Sequence, residues 1–152
     1  MTTKTRLVLS SLFANLLFFA PPAYAAIQLD PGEWQDTETG TENGQPATPE
    51  VTTSCIKAED AKDPVKALTQ LKDSAGQQCK TLNVKENGNV LSFDMECGEA
   101  KTMLIAIAMN ITFLNARHYT GTLKSNVTFA GKTIATDKQL DSKWISATCK
   151  KK

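Results

Sequence analysis

This chain is poor in the residues from which most catalytic and metal centres are built, and each shortage removes a class of function. It has one histidine, His118, and four cysteines with no Cys-x-x-Cys spacing, so the donor set of a structural zinc site is missing. No Gly-x-Ser-x-Gly occurs to present a serine nucleophile. A glycine-rich phosphate loop is also absent, and no cofactor is implied. Beyond the first 25 residues no segment approaches the roughly 20 apolar residues of a spanning helix, so no stable membrane span is expected. No sign of charge dominates either: 17 basic groups face 16 acidic ones, which argues against nucleic acid as a partner.

What is present begins with an export signal. Lys4 and Arg6 precede an uncharged, mostly apolar run over residues 7–20, and Ala23-Tyr24-Ala25 offers small residues around a cleavage site. Residues 1–25 therefore read as a secretory signal peptide, and residues 26–152 as a single disulfide-bonded periplasmic domain. Losing Lys4 and Arg6 leaves 15 basic against 16 acidic groups, a net charge of −1. No cysteine starts the mature chain, which speaks against a lipid anchor.

The stretch 79–97 organises the domain. Two alternating runs flank Asn87-Gly88, a pair suited to the positive φ angles of a tight hairpin. Pairing across that turn sets Val84 opposite Leu91 and Leu82 opposite Phe93, with Met95 and Cys97 continuing the apolar face and Ser92, Asp94 and Glu96 on the other. Four cysteines in a small exported chain imply two disulfides. In this register Cys79 points to the polar face and Cys97 to the apolar one. That parity disfavours a bond between them and leaves two connectivities. The favoured one joins Cys55 with Cys79, closing a loop over the helical segment, and Cys97 with Cys149, tying the last strand to the sheet, each contributing about 2 to 4 kcal/mol.

The rest of the chain extends the pattern. Strands are expected over residues 32–39, anchored by Trp34, and over 51–56. Helical spacing over residues 57–75 places Ala61, Val65, Leu68 and Leu71 on one side; Asp63-Pro64 suits a helix start and Gly76 a stop. Met103, Ile105, Ile107, Met109, Ile111 and Phe113 share one face of a strand. Tyr119, Leu123, Val127 and Phe129 share one face of the next, after a three-residue loop at residues 115–117. Ala130-Gly131 closes a further hairpin, with Val127 opposite Ile134. The fold class is α+β and mainly antiparallel β: a curved, half-barrel-like meander sheet with one covering helix.

Chemistry is sparse on this frame. His118 lies on the solvent face near a turn. Asp94 and Glu96 stand about 7 Å apart on one strand face, but an open face gives two carboxylates no contrasting environments. The sequons at Asn110 and Asn126 fall inside strands. Met95, Met103 and Met109 on the inward face serve packing before they serve copper. No catalytic residue and no metal ligand is assigned, and an enzyme is not expected.

Pro31-Gly32-Glu33-Trp34, residues 55–61 beginning Cys55-Ile56-Lys57, the Cys79 strand, Phe93-Asp94-Met95-Glu96-Cys97-Gly98, Tyr119-Thr120-Gly121-Thr122 and Cys149 together resemble the bacterial exported family catalogued as domain of unknown function 3617. The resemblance covers nearly all the mature chain through the order of its cysteines. It implies compartment and fold, and the family carries no assigned activity. The leading expectation is a non-enzymatic binding or interaction domain, with an apolar pocket at Met103, Ile105, Ile107, Met109, Tyr119 and Leu123 beside the small positions Gly121 and Ser125, suited to a small apolar ligand. The alternative is an envelope-assembly protein that binds another envelope protein through its sheet face or its threonine-rich first strand as an edge.

Overall fold

The computed structural model describes residues 27–69, 73–74, 77–99 and 102–150. The expected leader, Leu71, Ala75 and Gly76 lie outside them. The strands are β1 (Gly32–Glu42), β2 (Gln45–Pro46), β3 (Glu50–Ile56), β4 (Asp73–Ser74), β5 (Gln77–Asn87), β6 (Val90–Glu99), β7 (Met103–Asn115), β8 (His118–Phe129) and β9 (Lys132–Ser146), with helices α1 (Ala58–Lys62) and α2 (Pro64–Thr69). They form an open antiparallel sheet in the order β2-β1-β9-β8-β7-β6-β5-β4, with β3 also on β1. The meander from β5 to β9 is the expected one. β1 is not an edge, however: it pairs with β9 along one side and with β3 along the other. Among the described residues no helix is long and apolar enough to cross a membrane.

Alternation along the strands sets the core. Leu91, Phe93, Met95 and Cys97 of β6 are buried together with Ile111 and Phe113 of β7, Trp34, Leu29 and Ala61. Trp34 is fully buried at 0% exposure. The two long hairpins after β7 keep the expected faces by different routes. At the first, the turn is only Ala116-Arg117, but a bulge at Leu114 supplies the odd residue, so Phe113 still faces Tyr119. At the second, Ala130 and Gly131 take φ values of 49° and 75°, and Val127 faces Ile134 as expected.

The β5–β6 hairpin corrects the sequence reading. Its turn is Gly88-Asn89, with Asn87 opposite Val90, and a bulge interrupts β5 between Leu82 and Lys85. Asn83 sits there at φ 53°, in the left-handed region that asparagine tolerates better than most side chains. Glu86, not Val84, therefore faces Leu91, Asp94 lies opposite Leu82, and Val84 is exposed. The turn moves the register one way and the bulge moves it back by half as much, which reverses the parity of Cys79. Cys79 consequently stands directly opposite Cys97, Cα to Cα 4.0 Å, and is bonded to it; Cys55 is bonded to Cys149, 5.7 Å away. The favoured pairs Cys55–Cys79 and Cys97–Cys149 are overturned by that one odd residue.

The helical segment is also shorter and broken. Asp63 adopts φ −138° and ends α1, since the residue before a proline is disfavoured in helical geometry. Its side chain then accepts from the Lys66 N–H at 3.0 Å, capping α2 as expected. Ala61, Val65 and Leu68 face the core, but Asp73–Ser74 pairs with Gln77 and Gln78 as strand instead of continuing the helix.

The two disulfides differ in span, 94 residues for Cys55–Cys149 and 18 for Cys79–Cys97. On loop-closure entropy, Cys55→Ala/Cys149→Ala should lose about 4.7 kcal/mol, roughly 1.5 kcal/mol more than Cys79→Ala/Cys97→Ala. Urea unfolding of the two double variants measures this. Proteolytic fragments joining residues 55 and 79 under non-reducing conditions would contradict the pairing itself.

Candidate functional site

The site is assembled where the chain enters and leaves the sheet. Ile27 to Pro31 runs in along the core without regular structure, held by the Leu29 N–H donating to the Ala61 carbonyl at 3.0 Å and the Asp30 N–H to that of Ala116 at 2.8 Å. Trp34 Nε1 donates to the Asp30 carbonyl at 3.0 Å, and Trp144 Nε1 to that of Pro31 at 3.1 Å. The Arg117 guanidinium stacks 4.3 Å over Trp144 and pairs with Asp30. These bonds hold the entry segment on α1 and the β7–β8 turn, beside the end of β3 and the start of β8.

Between them opens a cleft of about 270 Å³, lined by Leu29, Cys55, Ile56, Asp60, Pro64, Ala67, Leu68 and Tyr119. Its walls are apolar apart from Asp60 and the Tyr119 hydroxyl. Tyr119 closes one side through an aromatic cluster, its ring 5.4 Å from Trp34 and 5.8 Å from Phe113. Burial pushes its phenol above the ordinary value; the Ser142 hydrogen bond opposes this and the nearby Asp36 charge adds to it. Ser142, fully buried, donates to Asp36, which also accepts from Ser54 Oγ at 2.8 Å. The phenol is thus held neutral, at the end of a satisfied polar chain.

Of the residues expected to form a pocket, Tyr119 alone lines this cleft. Met103, Ile105, Ile107, Met109 and Leu123 share the inward face with it, as their alternation requires, and Ile105, Ile107 and Met109 pack on the core. Gly121 opens no cavity: a Cβ there would lie 2.8 Å from the Asn110 carbonyl oxygen, so the neighbouring strand uses the space. The cleft's other walls come from the entry segment, the cysteine-bearing end of β3 and the helices. Leu68 was marked by the helical stripe; Leu29 and Asp60 carried no periodic signal.

Asp94, Glu96 and His118 are not brought together. Asp94 accepts from Asn83 Nδ2 at 2.6 Å and Glu96 is exposed. His118 lies near the far end of β8, about 20 Å along the strand from the position beside Asp94, and pairs with Asp141 at 2.7 Å. Lys143, at 2.8 Å, and His118 hold the Asp141 carboxyl below its ordinary value. Among the described residues no group of three or more His, Cys, Asp or Glu side chains is placed to hold a metal. Three wider hollows, of about 590, 500 and 710 Å³, lie on the polar face of the sheet. They are grooves between strands with more polar walls than the cleft at the helices, which makes the cleft the better place for an apolar ligand.

Fold and site together define an open antiparallel β domain, stapled by two disulfides, with a helix-capped apolar cleft at one end. The family described as "Protein of unknown function (DUF3617)" matches residues 29–149, and the chain belongs to that family. Among curated proteins and among solved structures nothing matches it.

The Tyr119 shift carries a pH consequence. A phenol whose pKa is raised in the folded state contributes stability that is complete below its ordinary value of 10.0 and is lost as pH rises through the folded value. Stability should therefore fall from about pH 10 upward, and Tyr119→Phe should flatten that limb. Urea midpoints across the alkaline range, with phenolate absorbance followed in parallel, test both statements.

Proposed function

We propose that this protein is an exported, non-enzymatic binding domain of the bacterial periplasm that holds a small apolar ligand in the cleft between α1, α2 and the sheet. The single observation that carries the reading is the cleft itself: apolar walls around about 270 Å³, next to a core already closed by Trp34, Leu91 and Ile111. Its size lies just under the usual range for small-molecule sites, which suits a chain or a small ring better than a large cofactor. Export is supported by the leader sequence and by two disulfides, which persist in oxidising compartments. A non-enzymatic role is supported by the separation of His118 from Asp94 and Glu96.

A second reading has one observation of its own. β3 pairs with β1 along one side only among the described residues, and Val51 on it is 59% exposed. Such an edge can accept a strand from another envelope protein.

Native mass spectrometry of protein purified from the periplasm without detergent separates the two. The expected result is an added mass that denaturation releases and organic solvent extracts, absent from Ala67→Phe, in which the added ring fills the cleft. A bare monomer mass in repeated preparations would refute the ligand reading, and cross-links from β3 to a second protein would then favour the edge.

A further inference from the structure

Among the described carboxylate side chains of this domain, Asp60 is placed differently from the others. Every other described carboxylate residue that is not exposed has a partner: Asp30 has Arg117, Glu33 has Lys150 at 4.0 Å, Asp36 has Ser54 and Ser142, Glu38 has Lys138, Asp94 has Asn83, and Asp141 has His118 and Lys143. Asp60 is half-buried and lines the cleft. Among the described residues no side chain pairs with it, and its neighbour Lys57 is turned to Glu59 at 3.8 Å. Among the described residues it is also the only charged one of the cleft wall.

A carboxylate that is only partly hydrated can keep its charge cheaply while the cleft holds water. Filling the cleft with an apolar body removes that water, and the charge then costs free energy unless the ligand supplies its counterpart. An anionic head, such as that of a fatty acid, would add repulsion to the desolvation. A cationic head would meet the carboxylate in a medium of lowered dielectric, where the attraction is stronger than in water.

Building on the ligand reading above, we propose that the cleft is a site for a single-chain cationic amphiphile, its alkyl tail lying among Leu29, Ile56, Pro64, Ala67 and Leu68 and its ammonium head against Asp60. The narrow volume selects the single chain, and the lone unpaired carboxylate selects the head.

The test uses three probes with one tail, decyltrimethylammonium, decanol and decyl sulfate, each below its micelle concentration, titrated calorimetrically into the mature disulfide-bonded protein. The ammonium should bind in a one-to-one ratio about tenfold more tightly than the alcohol, and the sulfate more weakly than either. Asp60→Asn should bring the ammonium down to the alcohol's affinity and leave the alcohol unchanged, whereas Ala67→Phe should weaken all three; unchanged urea midpoints show that both variants fold. Equal binding of the three probes, or a cationic preference that survives Asp60→Asn, overturns this inference while leaving the apolar-ligand reading in place. Binding of none of them overturns both.

Discussion

The burial of Trp34 is the constraint on which the rest of the arrangement depends. A nine-stranded open sheet offers one apolar face, and among the described residues two helices of five and six residues cannot cover it alone. Trp34 supplies the missing cover from within the sheet, because β1 is brought round to pair with β9 and sets the indole against Tyr119 and the core. Its Nε1 must be satisfied once buried, and the acceptor is the Asp30 carbonyl. That bond fixes the entry segment, which reaches α1 through the Leu29 N–H. One buried aromatic thus positions both the first strand and the helix that caps the cleft.

The same inward face is polar where β1 meets β9. Asp36 with Ser142 and Ser54, and Glu38 with Lys138, occupy inward positions that an all-apolar core would fill. The Glu38 hydrogen bond raises the Lys138 ammonium above its ordinary value. Exposure of both side chains, 27% and 32%, keeps this pair a modest contributor to stability. Such groups specify more than they stabilise: a one-residue slip of β1 against β9 would carry Asp36 and Glu38 away from their partners and leave buried Ser142 without an acceptor. Register in this part of the sheet is thereby set by polar matching, whereas in β6 and β7 it is set by apolar alternation.

That division explains how much could be read from the chain. Alternation over Leu91–Cys97 and Met103–Phe113 identified the apolar face, Ala130-Gly131 located a turn, and Asp63-Pro64 located a helix start, each because the signal is local. The β5 bulge carries no such signal. Asn83 is an ordinary strand residue by pattern, and its left-handed conformation follows from the need to keep Cys79 against Cys97 and Phe93 inward while the turn advances to Gly88-Asn89. A single inserted residue reverses every parity argument on its N-terminal side, which is why the cysteine pairing and the inward placement of Leu82 and Val84 failed while the core assignments on β6 held. The role of β1 was likewise hidden, since threonines suit an edge and an interior strand equally well.

The cleft was harder to read for a related reason. Periodicity reports which face of an element is buried, and a site made from an element's face can be found in that way. This one is made from element ends: an entry segment without regular structure, the last two residues of β3, two short helices and the second residue of β8. Cys55 belongs to the wall and is bonded to Cys149 beyond the end of β9. The bridge therefore ties the β3 wall of the cleft to the segment after β9, and without it Ile56 and Cys55 would be held only by the end of the β1–β3 ladder, where strands fray first. Oxidation of Cys55 with Cys149 and the shape of the candidate binding site are in this sense one structural fact.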